Sequence, residues 1–492
     1  MTLPVLEALR RHAGCVVLED GTRGWHAEEL LAEVEALATR LHEGRVRVLA
    51  TLLDNGVPWI VAELAAAQAG CVHLPLPGFF TPAQLRHALQ SAGADALLLA
   101  PAHAAAFASL PAADLGLAGT PLAWLRLPAA PVALPPGTTK LTFTSGTTGT
   151  PKGVCLGAAA QQAVADGLAQ ATAALAITRH LSALPYALLL ENIAGVLAPL
   201  TQGATTIALP LAEIGLAGAS SFDPARLHAV VERTRPHSLI LLPQMLRAWV
   251  GWLRGNTRRA PESLRLVAVG GAAVGAPLIE AAQSLGIPAC EGYGLSEAAS
   301  VQTLNLPGAQ RPGSAGRVLP HARLRIAADG EIEIAGSLFL GYLGESAPVP
   351  AWWGSGDLGH VDADGFVHVH GRKKQVLITA YGRNVSPEWV ETTLRGDDAV
   401  AQAVVFGDGE PALSAVLWPT REALPDAALQ AAVARANAQL PDYARVQRWC
   451  RGARPFDASG GMATPNGRPR RAAILSLHAA ALGLAAPALE TP

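Results

Sequence analysis

From its N-terminus to the glycine pair Gly270 and Gly271, this chain alternates the hydrophobic period of helices with that of buried strands, and this alternation restricts it to an α/β architecture. AEELLAEVEALATRLHEG carries apolar residues at helical spacing, VRVLATLLD reads as a buried strand, and PWIVAELAAAQAG as another helix. After a Pro-rich stretch at 128–136 the rhythm resumes: ARLHAVVERTRP and HSLILLP are helix then strand, and ESLRLVAVGGAAV is a strand entering a glycine turn. The implied sheet is largely parallel. Near Leu319 the texture changes to short β segments, ARLRIAADGEIEIAG and GHVDADGFVHVHGRKKQVLI, with hairpin signals at Asp329-Gly330 and Asp364-Gly365. Beyond Arg372, the segments PEWVETTLRG, AQAVVFGDG, ALSAVLW and ALQAAVARANAQL predict a small α+β domain of about 120 residues. The final HAAALGLAAPALETP is Ala-rich and is expected to fray.

Composition excludes several classes. With 492 residues, 50% hydrophobic and only 15% charged, the chain has material for a large core and does not have the makeup of a disordered protein. The formal net charge of −2 and the lack of a long basic run, with a local cluster at Arg468, Arg470 and Arg471, give no reason to expect a nucleic-acid partner. Cys15, Cys71, Cys155, Cys290 and Cys450 are widely spaced and form no Cys-x-x-Cys pair, which argues against zinc and against a disulfide framework. The N-terminus turns charged within its first ten residues, unlike a signal peptide. The most apolar stretch, near 181–200, is interrupted by Glu191 and Asn192, so no membrane span is expected and the expected location is the cytoplasm.

The segment most specific for chemistry is LTFTSGTTGTPKGV at 141–154. A strand feeds a loop that offers Thr144, Ser145, Thr147 and Thr148 hydroxyls, unobstructed backbone N–H groups at Gly146 and Gly149, and the cation Lys152. That is a phosphate-binding composition. The spacing is not that of a Walker loop, because Gly146, Gly149 and Lys152 are three apart and Lys152 precedes Gly153 rather than Ser or Thr.

This loop resembles the phosphate loop of the adenylate-forming superfamily, which includes acyl-CoA synthetases, stand-alone adenylation domains and luciferases. The resemblance continues in order through Gly270-Gly271-Ala272, the run EGYGLSE from Glu291 to Glu297, RPGSAG from Arg311, Gly356-Asp357-Leu358-Gly359 and Gly371-Arg372-Lys373-Lys374, and covers nearly the whole chain. It implies a large domain over 1–371, a hinge over 372–376 and a small mobile domain over 377–492. It also implies ATP and Mg²⁺, with coenzyme A or a phosphopantetheine arm as acyl acceptor. Tyr293 would face adenine near Gly271, Ala272 and Gly292, Ser296 would donate to the α-phosphate, and Glu297 would be a hard oxygen ligand for Mg²⁺. Asp357 would accept the ribose hydroxyls, Arg372 would lie beside ribose and phosphates, and Lys374 would be the hinge residue.

At one position the chain departs from the pattern. Most members of that superfamily carry a Lys after an Asn-Gly turn, which neutralises charge as a carboxylate attacks the α-phosphate. Here the turn is kept and Arg468 follows it, a cation with bulkier, bidentate geometry. The implied activity is ATP-dependent formation of an acyl adenylate followed by transfer to a thiol of coenzyme A or an acyl carrier protein; a catalytically silent nucleotide-binding relative is the alternative. Amino-acid-activating relatives hold the substrate ammonium with an Asp whose counterpart here is close to Leu190, which cannot pair with an ammonium. The run from Pro185 to Glu191 resembles that of medium- and long-chain acyl ligases, with Leu188 in place of a His, and 382–391 also resembles the fatty-acyl branch. A fatty or other apolar acid is therefore expected, with Leu188, Leu190, Glu191 and Asn192 as candidate pocket residues.

Overall fold

The computed structural model describes residues 4–107, 112–144, 152–217, 221–380, 383–464 and 467–484. Two large mixed sheets carry the first part of the chain. One has the order Gly341–Tyr342, Lys152–Gly157, Thr138–Thr144, Val72–Pro75, Val48–Leu52, Ala96–Leu99, Thr120–Arg126, Ala112–Leu117 among the described residues. Its four central strands are parallel and its edges antiparallel. Val48–Leu52 lies at the centre and is buried on both faces, as a run apolar but for Thr51 requires. The second sheet joins Val16–Glu19, Thr205–Ile207, Arg179–Leu181, Ser238–Leu241, Leu266–Val269 and Ala289–Leu295 in parallel, again with antiparallel edges.

The expected helices form at Ala27–Glu43, Val57–Ala69 and Pro224–Thr234. The last of these starts at Asp223, whose carboxylate accepts from the N–H groups of Ala225 at 2.9 Å and Arg226 at 3.4 Å, with Pro224 at the first helical position where its missing donor costs nothing. Both hairpin signals are realised: Arg323–Ile326 pairs with Glu331–Ala335, and Trp353–Val361 with Val367–Arg372, in a four-stranded antiparallel sheet.

The remaining chain has its own core, in which the strands Val400–Phe406, Leu413–Pro419 and Val446–Arg451 are covered by the helices Pro387–Arg395, Asp426–Gln439 and Arg471–Leu482. The expected C-terminal fraying is corrected for the first part of its segment: His478 lies buried within Arg471–Leu482, accepts from the Ala453 N–H at 3.0 Å and contacts the Ile474 carbonyl at 2.8 Å. A histidine tied at both ring nitrogens pins an Ala-rich helix that propensity alone would leave loose. Among the described residues no helix is long and apolar enough to cross a membrane.

Candidate functional site

The parallel strands Leu266–Val269 and Ala289–Leu295 end side by side, and the conserved polarity of an open α/β sheet makes their C-terminal edge the place for a ligand. The first strand ends in a turn. Gly271 takes a φ of 84°, a left-handed conformation that a side chain would strain, and Ala272 follows it, exposed. The turn is held from below by Glu291, whose carboxylate accepts from the Val274 N–H at 3.1 Å; burial pushes its pKa up to about 7. Gly292 allows a close approach of the next strand, since a Cβ there would lie 2.9 Å from the Thr303 carbonyl oxygen.

Tyr293 and Asp357 are brought together from elements far apart in sequence. The Tyr293 hydroxyl donates to Asp357 Oδ2 at 2.6 Å, and Arg372 Nε lies 2.9 Å from Oδ1. The Asp357–Arg372 contact follows from strand register, because the two residues face each other across the antiparallel pair. Burial raises the Asp357 pKa, and Arg372 and Tyr293 oppose that rise. Burial and the adjacent Asp357 charge also push the Tyr293 phenol well up.

Ser296 and Glu297 lie in the 3₁₀ turn Ser296–Ala298 just beyond the same strand. Glu297 Oε1 accepts from the Tyr342 hydroxyl at 2.7 Å. Lys152 reaches the same place from the other sheet, with Nζ 4.8 Å from the Tyr342 ring and 3.4 Å from Glu345. Thr144 ends the strand that precedes the loop. Ser145, Gly146, Thr147, Thr148 and Gly149 lie outside the described residues.

The small domain supplies two further charges. Arg468 follows a turn in which the Gly467 N–H donates to the Thr464 carbonyl at 2.9 Å and Gly467 takes a φ of 76°. A Cβ on Gly467 would lie 3.8 Å from Gln244 Nε2, so the turn lies against the start of helix Pro243–Gly255. Arg468 keeps contact with solvent, yet burial and the charge of Arg372 lower its pKa, while Glu388, Asp357 and Glu297 pull it up. Two arginines and three carboxylates therefore share one field. Glu388 was not singled out by sequence; its signal was its place after Pro387 at a helix start, where a carboxylate favours the dipole. Tyr342 was also missed, although Phe339, Tyr342 and Trp353 gather aromatic rings in a chain with only 5% aromatics. Lys374 stands apart, exposed in the 3₁₀ turn Lys373–Gln375.

Of the four candidate pocket residues, the structure separates two pairs. Leu190 is partly buried and, with Ala194 and Ala268, packs against both of the two largest hydrophobic cores, so these three lie where the cores meet. Leu190 also borders the glycine turn: a Cβ on Gly270 would lie 3.9 Å from its Cδ2. Leu188, partly exposed, precedes the short helix Leu189–Glu191. Glu191 and Asn192 are instead fully enclosed, at 0% and 1% exposure, and bond to protein groups. Period explains the difference: residues 190 and 194 share one face of a helix, and 191 and 192 point elsewhere.

The chain matches the AMP-binding enzyme family over residues 6–343 and the AMP-binding enzyme C-terminal domain over 374–482. It is 38% identical over 202 residues to a long-chain-fatty-acid–CoA ligase, FadD15, of Mycobacterium tuberculosis, a match that spans 40% of this chain and 31% of that protein. It is 31% identical to a feruloyl-CoA synthase of an Amycolatopsis species over 444 residues, covering 83% of this chain and 85% of the other. Among solved structures, the anthranilate CoA ligase AuaEII in complex with anthranoyl-AMP superposes with a TM-score of 0.80 at 18% identity, over 97% of this chain and 98% of that one. O-succinylbenzoate coenzyme A synthetase from Bacillus subtilis, in complex with ATP and magnesium ion, superposes with a TM-score of 0.73 at 23% identity, over 93% and 98%. At these identities the two structures share the fold.

Proposed function

This chain belongs to the AMP-binding enzyme family, and from that premise we propose that it joins a carboxylic acid to a thiol through an acyl adenylate. In the first step the carboxylate attacks the α-phosphate of ATP and pyrophosphate leaves; in the second a thiol attacks the mixed anhydride and AMP leaves. The observation that carries this reading is the convergence of Tyr293, Asp357, Arg372, Glu297 and Arg468, drawn from both domains, beside the end of a parallel sheet. Asp357, with its two oxygens already accepting from Tyr293 and Arg372, has the geometry to exchange those donors for the hydroxyls of a ribose. Arg468 and Arg372 would offset negative charge on the attacked phosphate, and Lys152 with the 144–149 loop the charge on pyrophosphate. Mg²⁺ fits Glu297: that ion takes one or two protein carboxylates and completes its shell with phosphates and water, and Tyr342 holds the Glu297 carboxylate through Oε1. When bound, the ion would neutralise phosphate charge.

The proposed acid has an apolar tail, aliphatic or aryl, lodged beside Leu190, Ala194 and Ala268, where the two large cores meet. No carboxylate stands at Leu190 to hold an ammonium. The acceptor is coenzyme A or an acyl carrier protein, and the proposed location is the cytoplasm. The domain limits 1–371, 372–376 and 377–492 are part of the same proposal, with Lys374 as the pivot. Acid-dependent ATP–pyrophosphate exchange by the purified chain tests the first step. Exchange is expected with fatty or aryl acids and not with α-amino acids; a protein that binds ATP but exchanges with no acid of either kind would instead be a silent relative.

A further inference from the structure

The helix that carries Leu190 and Ala194 is irregular. Leu189–Glu191 is α-helical, Asn192–Leu197 is π-helical and Ala198–Gln202 returns to α, all of it wedged between the two large sheets. A π segment has poorer hydrogen-bond geometry than an α-helix and persists where side chains hold it. Two consecutive residues hold this one, in opposite directions.

Glu191 ties the helix to the sheet that carries the glycine turn. Its Oε2 accepts from the Leu184 N–H at 3.1 Å, its Oε1 lies 3.0 Å from His180 Nε2, and His180 Nδ1 lies 2.9 Å from Ser238 Oγ. Gly195 makes room for this, since a Cβ there would collide with the Glu191 carboxylate. Asn192 ties the helix to the other sheet. Its Oδ1 accepts from Lys140 Nζ, which lies 2.6 Å from Glu63 Oε1; the other Glu63 oxygen contacts His73 Nδ1, and His73 Nε2 lies 2.9 Å from Thr51 Oγ1. Lys140 and His73 are direct register partners on parallel strands, which aligns the two donors on one carboxylate. Every member of this chain is at least nine-tenths buried. Burial alone would raise the Glu63 carboxyl, but Lys140 and His73 outweigh it and hold it down.

A buried ion pair adds little stability over apolar packing of the same volume, and one attested use of such a pair is to specify an arrangement. Here the arrangement is the rotation and rise of one helix. Asn192 Nδ2 has no hydrogen-bond partner among the described residues, so the Lys140 contact is the side chain's one polar tie. Leu190 precedes both anchors and Ala194 follows them, and these are the helix residues at which the two cores meet.

We propose that Lys140 and Asn192 are positioning residues for acid selection: their contact fixes the π-helical turn, and thereby the placement of Leu190 and Ala194 where the acid's tail would lodge, without either residue touching the acid. The inference rests on the reading that the acid's tail lodges at Leu190 and Ala194. Asn192→Leu removes the acceptor at similar volume and leaves Lys140 paired with Glu63; Asn192→Asp keeps an acceptor for Lys140. KM is measured for a series of acids of increasing size and for ATP. Asn192→Leu is expected to change relative KM values across the series by about tenfold, with KM for ATP unchanged, and Asn192→Asp to keep the natural preference. If Asn192→Leu does not fold, Asn192→Ser, too short to reach Lys140, carries the same expectation. An unchanged size profile, or equal rises in KM for acid and ATP, overturns the proposal. A natural protein that activates no acid would sink the activity reading instead.

Discussion

At the scale of single residues, the unusual choice is Arg468. A guanidinium is more weakly hydrated than an ammonium and binds oxyanions in a fork, so it tolerates the crowded field of Arg372, Asp357, Glu297 and Glu388 differently from a lysine. Arg468→Ala is expected to slow acid-dependent pyrophosphate exchange by about a hundredfold or more, the cost of losing one preorganised charge at the transition state. Thioester formation from supplied acyl adenylate should change far less. Arg468→Lys should keep exchange measurable, because position and charge survive; complete loss would mean that the fork geometry itself is required. Sequence named Tyr293, Asp357 and Arg372 separately, but their mutual bonding depends on strand register that no local pattern encodes.

At the scale of elements, the glycine turn depends on one buried carboxyl beneath it. Glu291 has a folded pKa of about 7 against an ordinary 4.5, because burial disfavours its charge more than the loop N–H groups favour it. Between those limits the folded protein binds more protons than the unfolded chain, so this group makes stability fall as pH rises from about 4.5 to about 7, after which its effect is constant. Glu291→Gln should flatten that part of the profile, by at most about 3 kcal/mol, in urea midpoints compared near pH 5 and pH 8. An unaltered slope would place the titration elsewhere. Several elements were legible from periodicity, as in Ala27–Glu43 and Val48–Leu52, because burial of one stripe or of a whole strand leaves its mark in the sequence. The π-helical turn Asn192–Leu197 was not, since its apolar run reads as an ordinary helix and its distortion follows from anchors on two distant sheets.

At the scale of the whole molecule, the small domain is docked so that Arg468 faces the large domain's carboxylates. The docking surface is specific. Arg247 Nη1 donates to the Arg395 carbonyl at 2.7 Å, at the negative end of helix Pro387–Arg395, and Arg254 Nη1 lies 3.4 Å from Asp398. Gly275 and Gly396 let the backbones close in: a Cβ on the first would lie 2.8 Å from Thr392 Cγ2, and on the second 3.1 Å from Pro277 Cγ. Burial and the neighbouring Arg395 lower the Arg247 pKa to about 10, which leaves it charged at neutral pH. Arg247→Ala should therefore slow the adenylation step by about tenfold, the value of one charge-assisted hydrogen bond, while sparing thioester formation from supplied acyl adenylate. Equal losses in both half-reactions would show that Arg247 serves the large domain's stability rather than this docked arrangement.

The sequence by itself determined the alternation that builds two parallel-centred sheets, the hairpins at Gly330 and Gly365 and the separate C-terminal core. Each of these is written locally, in hydrophobic period or in turn residues. Tertiary structure alone decided that Glu191 and Asn192 are anchors while Leu190 and Ala194 lie where the two cores meet, that Tyr342 reaches Glu297, and that Glu388 and Arg468 share the field of Asp357 and Arg372. The reason is physical. A hydrogen bond or an ion pair between groups distant in sequence leaves no period in the chain, and becomes specified only when packed elements bring its partners within reach.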